Sequence, residues 1–144
     1  SEYRMINDYI DIESGQVIDF KIEVDLAIDK NNNATEIITN TIQEIIEYFT
    51  IEKRKMGDPL FVGDLNRTIG QINGVINVVN TRVYNLSGGE YSSAEVSQSY
   101  VDNSTKEIKQ SDMTIFMKSN QIYQIRFPNQ NIRIRTKVLG STTF

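Results

Sequence analysis

Met56-Gly57-Asp58-Pro59-Leu60-Phe61-Val62-Gly63-Asp64-Leu65 and, shortly after, Ile72-Asn73-Gly74-Val75-Ile76-Asn77-Val78 decide how this chain is built. Gly57 and Pro59 are placed to stop the helix before them, because glycine accepts left-handed turns and proline cannot continue a helical hydrogen-bond ladder. Leu65, Ile69 and Ile72 recur at helical steps, so a second, shorter helix is expected, with Asp64 in its opening turn as a cap or a partner for the helix dipole. Asn73-Gly74 closes it, and the β-branched run from Val75 to Tyr84 reads as a strand. None of these fixed points is a nucleophile, a proton shuttle or a metal ligand set. They specify packing and connection, so a structural role is the first expectation.

Upstream, Val17 to Asp29 alternates, with Ile18, Phe20, Ile22, Val24, Leu26 and Ile28 on one side and Asp19, Lys21, Glu23, Asp25 and Asp29 on the other. This period of two predicts a long strand with one buried face and one wet face. Asn33 stands three residues before Glu36, a capping-box spacing that satisfies the first free N–H groups of a helix. Inside that helix Ile38, Ile42, Ile45 and Phe49 form an apolar stripe widened by Ile37 and Ile46, and one face goes into the core. Lys53, Arg54 and Lys55 then suit the negative end of the dipole in its last turn.

Downstream, residues 85–112 turn to Ser, Gly, Gln, Glu and Thr, too polar to form a core alone. A surface arm is expected, with a short strand around Ser97 to Val101. Met113 to Met117, Ile122 to Phe127 and Ile132 to Val138 read as three strands, with Ser119-Asn120 and Pro128-Asn129-Gln130-Asn131 as reversing turns. The expected fold is a two-layer α+β domain: long strand, amphipathic helix, short helix, strand, then an antiparallel β-meander. Residues 1–16 are read as a lead-in from a longer chain and 17–144 as one domain, since 144 residues suffice for a single core.

Composition narrows the chemistry. With no Cys and no His, thiol chemistry, imidazole catalysis and the common zinc sites drop out. A net charge of −4 gives no overall positive field toward nucleic acid or anionic lipid. No apolar run approaches the ~18 residues that span a bilayer, and Ser1-Glu2-Tyr3-Arg4 carries no signal segment. No cofactor, metal, membrane or small-molecule substrate is expected, and no enzymatic activity.

Several constellations invite a sharper reading. Asp29-x-Asn31-x-Asn33 matches the opening of a calcium-binding loop, but Ala34 stands where the loop needs Gly and Asn40 where it needs a bidentate Glu; a strand-to-helix turn with side chains bonded to the backbone is expected instead. Asp58 and Asp64 could be imagined as a carboxylate pair for a hydrolase, yet no partner at a recognisable spacing supports them. Gly70 and Gly74 form no phosphate-binding pattern. Arg126, Arg133, Arg135 and Lys137 are the one concentrated basic feature, on the outward side of an expected terminal hairpin. They are edge-guarding charge, a docking surface for an acidic partner, or a nucleic-acid surface.

Asp25-Leu26, Tyr48-Phe49, Met56-Gly57-Asp58-Pro59, Gly63-Asp64-Leu65, Gly74-Val75, Asn77-Val78, Arg82-Val83-Tyr84-Asn85 and Arg126-Phe127-Pro128, in this order and spacing, resemble a known family. They are similar to the C-terminal domain of the baseplate wedge subunit of T-even-type contractile phages, a relative of the baseplate J-like proteins. The resemblance covers roughly Ser14 to Val138 and implies a non-enzymatic structural piece of the tail baseplate. It implies contacts with copies of itself and with other wedge proteins, assembly in the host cytoplasm and residence in the virion. Kept beside it are a baseplate component of another contractile injection system and a sheet-based nucleic-acid-binding domain. Asn33, Gly57, Pro59, Asp64 and Gly74 are the expected caps and turns.

Overall fold

The computed structural model describes residues 15–50 and 54–139 of the chain. The lead-in expected before position 15 and the place of Lys53 fall outside the described residues. Strand β1, Gln16–Ile28, is the centre of the sheet. Its even-numbered apolar side chains, Ile18 through Ile28, are all buried, as the alternation requires. Helix α1, Ala34–Tyr48, and helix α2, Val62–Gly70, contribute Ile37, Ile45, Leu65 and Ile69 to the same core. The fold is α+β, with a mixed sheet and a small second sheet in which β2, Leu60–Phe61, pairs with β4, Thr114–Ile115.

Asn33 caps α1 as expected. Its Oδ1 accepts from the N–H of Thr35 at 2.8 Å and of Glu36 at 3.3 Å, while Asp29 Oδ1 accepts from Asn31 N–H at 2.9 Å and makes the preceding turn. Asn33→Ala should cost about 1 kcal/mol and lower the melting temperature by roughly 3 °C; an unchanged melting curve would show that the cap contributes nothing. The buried line of α1 is Ile37, Thr41 and Ile45, continued by Phe49. It lies one position round from the expected stripe, and Ile38, Ile42 and Ile46 flank it half-buried. Thr41 fits in the core because its hydroxyl donates to Ile37 O at 2.7 Å, which removes the penalty for a buried polar group.

The helix ends at Tyr48, so Arg54 and Lys55 are not in its last turn. Arg54 instead lies over the Tyr123 ring, 4.1 Å from its centroid, and donates to the Tyr123 carbonyl; a ring face and a carbonyl together attract the guanidinium more than a frayed helix end does. Gly57, at φ +86, turns the loop, and its N–H donates to Gln121 O at 2.8 Å. Pro59 follows it into β2. Asp64 lies inside the first turn of α2 rather than capping it, since the N-cap is Phe61 without a side-chain bond. Its carboxylate accepts from Arg67 and from the Tyr48 hydroxyl, both at 3.1 Å. Gly74, at φ +95, closes the turn after α2.

Strand β3, Val75–Leu86, pairs antiparallel with β1 and is bulged beside Val79 and Ile76. The expected meander is absent. Strand β5, Gln121–Gln124, pairs parallel with β1 from Gln16 to Asp19, and β6, Ile132–Val138, pairs parallel with β1 from Ile22 to Ile28. The two therefore follow one another along the same edge of β1 as a single interrupted strand. A turn of helix, Pro128–Asn131, joins them, with Asn131 N–H donating to Phe127 O. Pro and Asn correctly mark a break, but a helical turn displaces the chain without reversing it. Alternation did place Tyr123, Ile132 and Ile134 toward the core and Gln124, Arg133 and Arg135 away from it, because parity along a strand does not depend on which neighbour it pairs with.

The polar stretch 85–112 also differs from expectation. Val96, Val101 and Ile108 belong to the core, and the region expected to be a strand near Ser97 is a 3-10 turn, Gln98–Tyr100. The segment lines the outer edge of β3: Asn85 N–H donates to Lys106 O at 3.0 Å and Ile108 N–H to Val83 O at 2.8 Å, and Gln110 Nε2 donates to Thr81 O at 2.9 Å. A few apolar anchors suffice because the backbone bonds of an existing strand edge supply the rest.

Candidate protein interface on the open sheet face

Both helices pack on the even-numbered side of β1, leaving Lys21, Glu23 and Asp25 on the other. Antiparallel pairing brings Arg82 of β3 opposite Glu23 and Tyr84 opposite Lys21. Parallel pairing brings Arg133 of β6 opposite Glu23 and Arg135 opposite Asp25. Each carboxylate of the central strand is thus flanked by cations from its neighbours, the cross-strand arrangement that stabilises a sheet face.

Asp25 is the hub. The Arg135 fork donates to it through Nε and Nη2 at 2.8 and 2.9 Å, and Arg82 through Nη1 and Nη2 at 3.1 and 3.4 Å. Glu23 accepts from Arg82 Nε at 3.4 Å and the Tyr84 hydroxyl at 3.1 Å, and pairs with Lys21 Nζ at 3.1 Å. Lys21 also lies over the Tyr84 ring, 5.0 Å from its centroid. Burial pushes the Asp25 carboxyl up, but hydrogen bonds from Arg135 and Arg82, with their charges, bring it below its ordinary value. Glu23 behaves alike: burial raises it, and Lys21, Tyr84 and Arg82 together pull it lower. Burial and the neighbouring Glu23 charge push the Tyr84 phenol up.

Asp19 and Asp25 are only 1% and 4% exposed, so the expectation of a wet face on the long strand fails at both. Asp25 is covered by its two guanidiniums. Asp19 is covered by the 85–112 segment and β5, accepting from Ser92 N–H and Gln124 Nε2, each at 2.7 Å. Alternation says which side a residue takes and nothing about what later covers that side.

The four basic residues singled out from the sequence separate here. Arg133 and Arg135 line one depression of about 360 Å³ together with Lys21, Glu23 and Arg82. Lys137 is on the same face one step further, opposite Ala27. Arg126 precedes the helical turn, its guanidinium 5.3 Å from the Phe127 ring centroid, and forms no part of that depression. Arg135 is not simply outward-facing, because Asp25 holds it. Arg133 is exposed and makes no hydrogen bond or ion pair among the described residues. Sequence reading missed Lys21, Arg82 and Tyr84 as members of this group. The alternation of 82 and 84 was a signal that they share a face, but only the register shows which carboxylates they meet.

Among the described residues no group of three or more His, Cys, Asp or Glu side chains could hold a metal ion, and Asp29 is engaged with its own turn. Asp58 accepts from Lys55 N–H and Asp64 from Arg67 and Tyr48, so neither carboxylate is aimed at the other. No family model matches the chain, and no curated protein matches it.

Proposed function

We propose that this domain is a structural subunit of a phage tail baseplate, or of a related contractile injection system, and that it works by making protein contacts from the open face of its sheet. The observation that carries the reading is the uneven covering of that sheet: helices bury one side, whereas the other is finished by a bonded network of charge around Asp25 and Glu23. Such a face is rigid and specific in its charge pattern, which suits orientation of a partner more than chemistry. The order of short sequence motifs that resembles the baseplate wedge family supports the same reading, and the interacting partners would be copies of this chain and other wedge proteins in the virion.

A phage carrying Arg133→Glu in this gene should still fill heads but yield few or no complete tails by electron microscopy. The isolated variant should keep the parent's circular dichroism and melting temperature, because Arg133 is exposed and bonded to none of the described residues. Complete tails in normal number would overturn the assignment of this face to assembly.

A further inference from the structure

We infer that the depression between β1, β3 and β6 is a docking site for an extended acidic segment of another protein, one presenting carboxylates at alternate positions. The inference rests on the assembly role proposed above and names the chemistry of the partner at that site.

Charge sets the sign. Lys21, Arg82, Arg133 and Arg135 share the face with only Glu23 and Asp25, leaving two positive charges uncompensated in a chain whose net charge is −4. Arg82 and Lys21 are largely enclosed, with side chains 19% and 30% exposed, so the field of this floor is screened less by salt than that of a fully solvated patch. Arg135 is half-exposed even while it holds Asp25, and so can take a further acceptor. Arg133 beside it has a guanidinium with no partner among the described residues.

Spacing sets the shape. Arg133 and Arg135 are alternate residues of one strand and so stand about 7 Å apart, the separation of alternate side chains on any extended segment. Two carboxylates on such a segment match the two uncompensated charges. A second copy offering the same face is disfavoured, because an isologous contact would set like charges against each other. A nucleic-acid backbone is disfavoured as well. Glu23 and Asp25 run down the centre of the face and would repel its phosphates. Strand β1 places no aromatic ring there for base stacking, and Tyr84 is held by Glu23 and Lys21.

The test uses the full chain and a fluorescent hexapeptide of alternating glutamate and threonine, followed by anisotropy at low and high salt. A glutamine-for-glutamate peptide and a single-stranded oligonucleotide serve as comparison probes. Binding of the acidic peptide that weakens in salt, drops roughly tenfold or more with Arg133→Gln and with Arg133→Glu, and is unaffected by Arg126→Glu is the expected result. Equal binding by the Arg133 variants, or by the glutamine peptide, would overturn the inference. So would tighter binding of the oligonucleotide, or self-association of the parent in sedimentation that Arg133→Glu abolishes. If the chain ignores the acidic peptide while Arg133→Glu phage still lack tails, the acidic segment is wrong and the assembly role stands.

Discussion

Gly74→Val is expected to lower the melting temperature by roughly 10 °C, corresponding to about 3 kcal/mol in a domain of this size. Gly74 sits at φ +95, where a β-branched side chain is strained by about 1–2 kcal/mol. A Cβ there would also lie 2.7 Å from Ile37 Cδ1, 3.0 Å from Ile37 Cγ1 and 3.1 Å from Asn32 Cγ. Ile37 is only 2% exposed in the core beneath α1, so it cannot swing aside, and overpacking adds about 1–3 kcal/mol. The same residue anchors the strand pair from its backbone, since Asp29 N–H donates to Gly74 O at 2.9 Å. Gly70→Ala is the matched control: nothing lies within 4 Å of a Cβ at that position, and alanine should leave stability unchanged or raise it by up to about 1 kcal/mol. Thermal unfolding followed by circular dichroism reads both. A Gly74→Val protein that melts with its parent would mean that α1, α2 and β3 do not meet in a tight junction at this residue.

Asp25→Ala should destabilise by a similar amount, about 3 kcal/mol, because it leaves the largely enclosed Arg82 guanidinium without its principal acceptor. The effect should also change with pH in a defined direction. Asp25 and Glu23 both have carboxyl groups held below their ordinary values in the folded protein. A group of this kind contributes stability above its unfolded value and loses that contribution as pH falls through the folded one. The parent should therefore lose stability on acidification from about pH 5 downward. The Asp25→Ala protein should lose less over that window, since part of the titrating network is gone. An identical acid slope in parent and variant would show that the network carries no linked stability. Arg135→Glu should behave as a destabilising change, because it sets a second carboxylate against Asp25, whereas Arg133→Glu on the same strand should leave the melting curve alone.

Local periodicity carries much of the fold. The alternation from Ile18 to Ile28, the Asn33 cap and the Gly74 stop each express a rule that operates within a few residues, and each is legible in the amino-acid sequence alone. The errors arise where the outcome depends on residues far apart in the chain. Pro128-Asn129-Gln130-Asn131 marks a break, but whether the chain reverses there is decided by the free edge of β1, not by the turn residues. Residues 85–112 read as too polar for a core, yet Val96, Val101 and Ile108 are buried because an existing strand edge satisfies their backbone. The candidate site is half legible for the same reason. Arg133 and Arg135 stand out by spacing, whereas Lys21, Arg82 and Tyr84 join them only through pairing register.

The interrupted strand on the edge of β1 has a kinetic consequence. Asp25 and Arg135 are 110 positions apart, and Gln16 and Gln121 are 105 apart, so the central strand, made early in synthesis, gains its parallel neighbours only when nearly all of the domain has been translated. Until then one edge of β1 is bare, its apolar face is only partly covered, and Asp25 lacks Arg135. Non-local parallel pairing of this kind folds slowly, because loop closure must precede the contacts that reward it. The nascent domain thus has a long interval in which an exposed strand edge can pair with the wrong chain, and a ribosome stalled near Phe127 would hold a chain that has begun its sheet and cannot finish it.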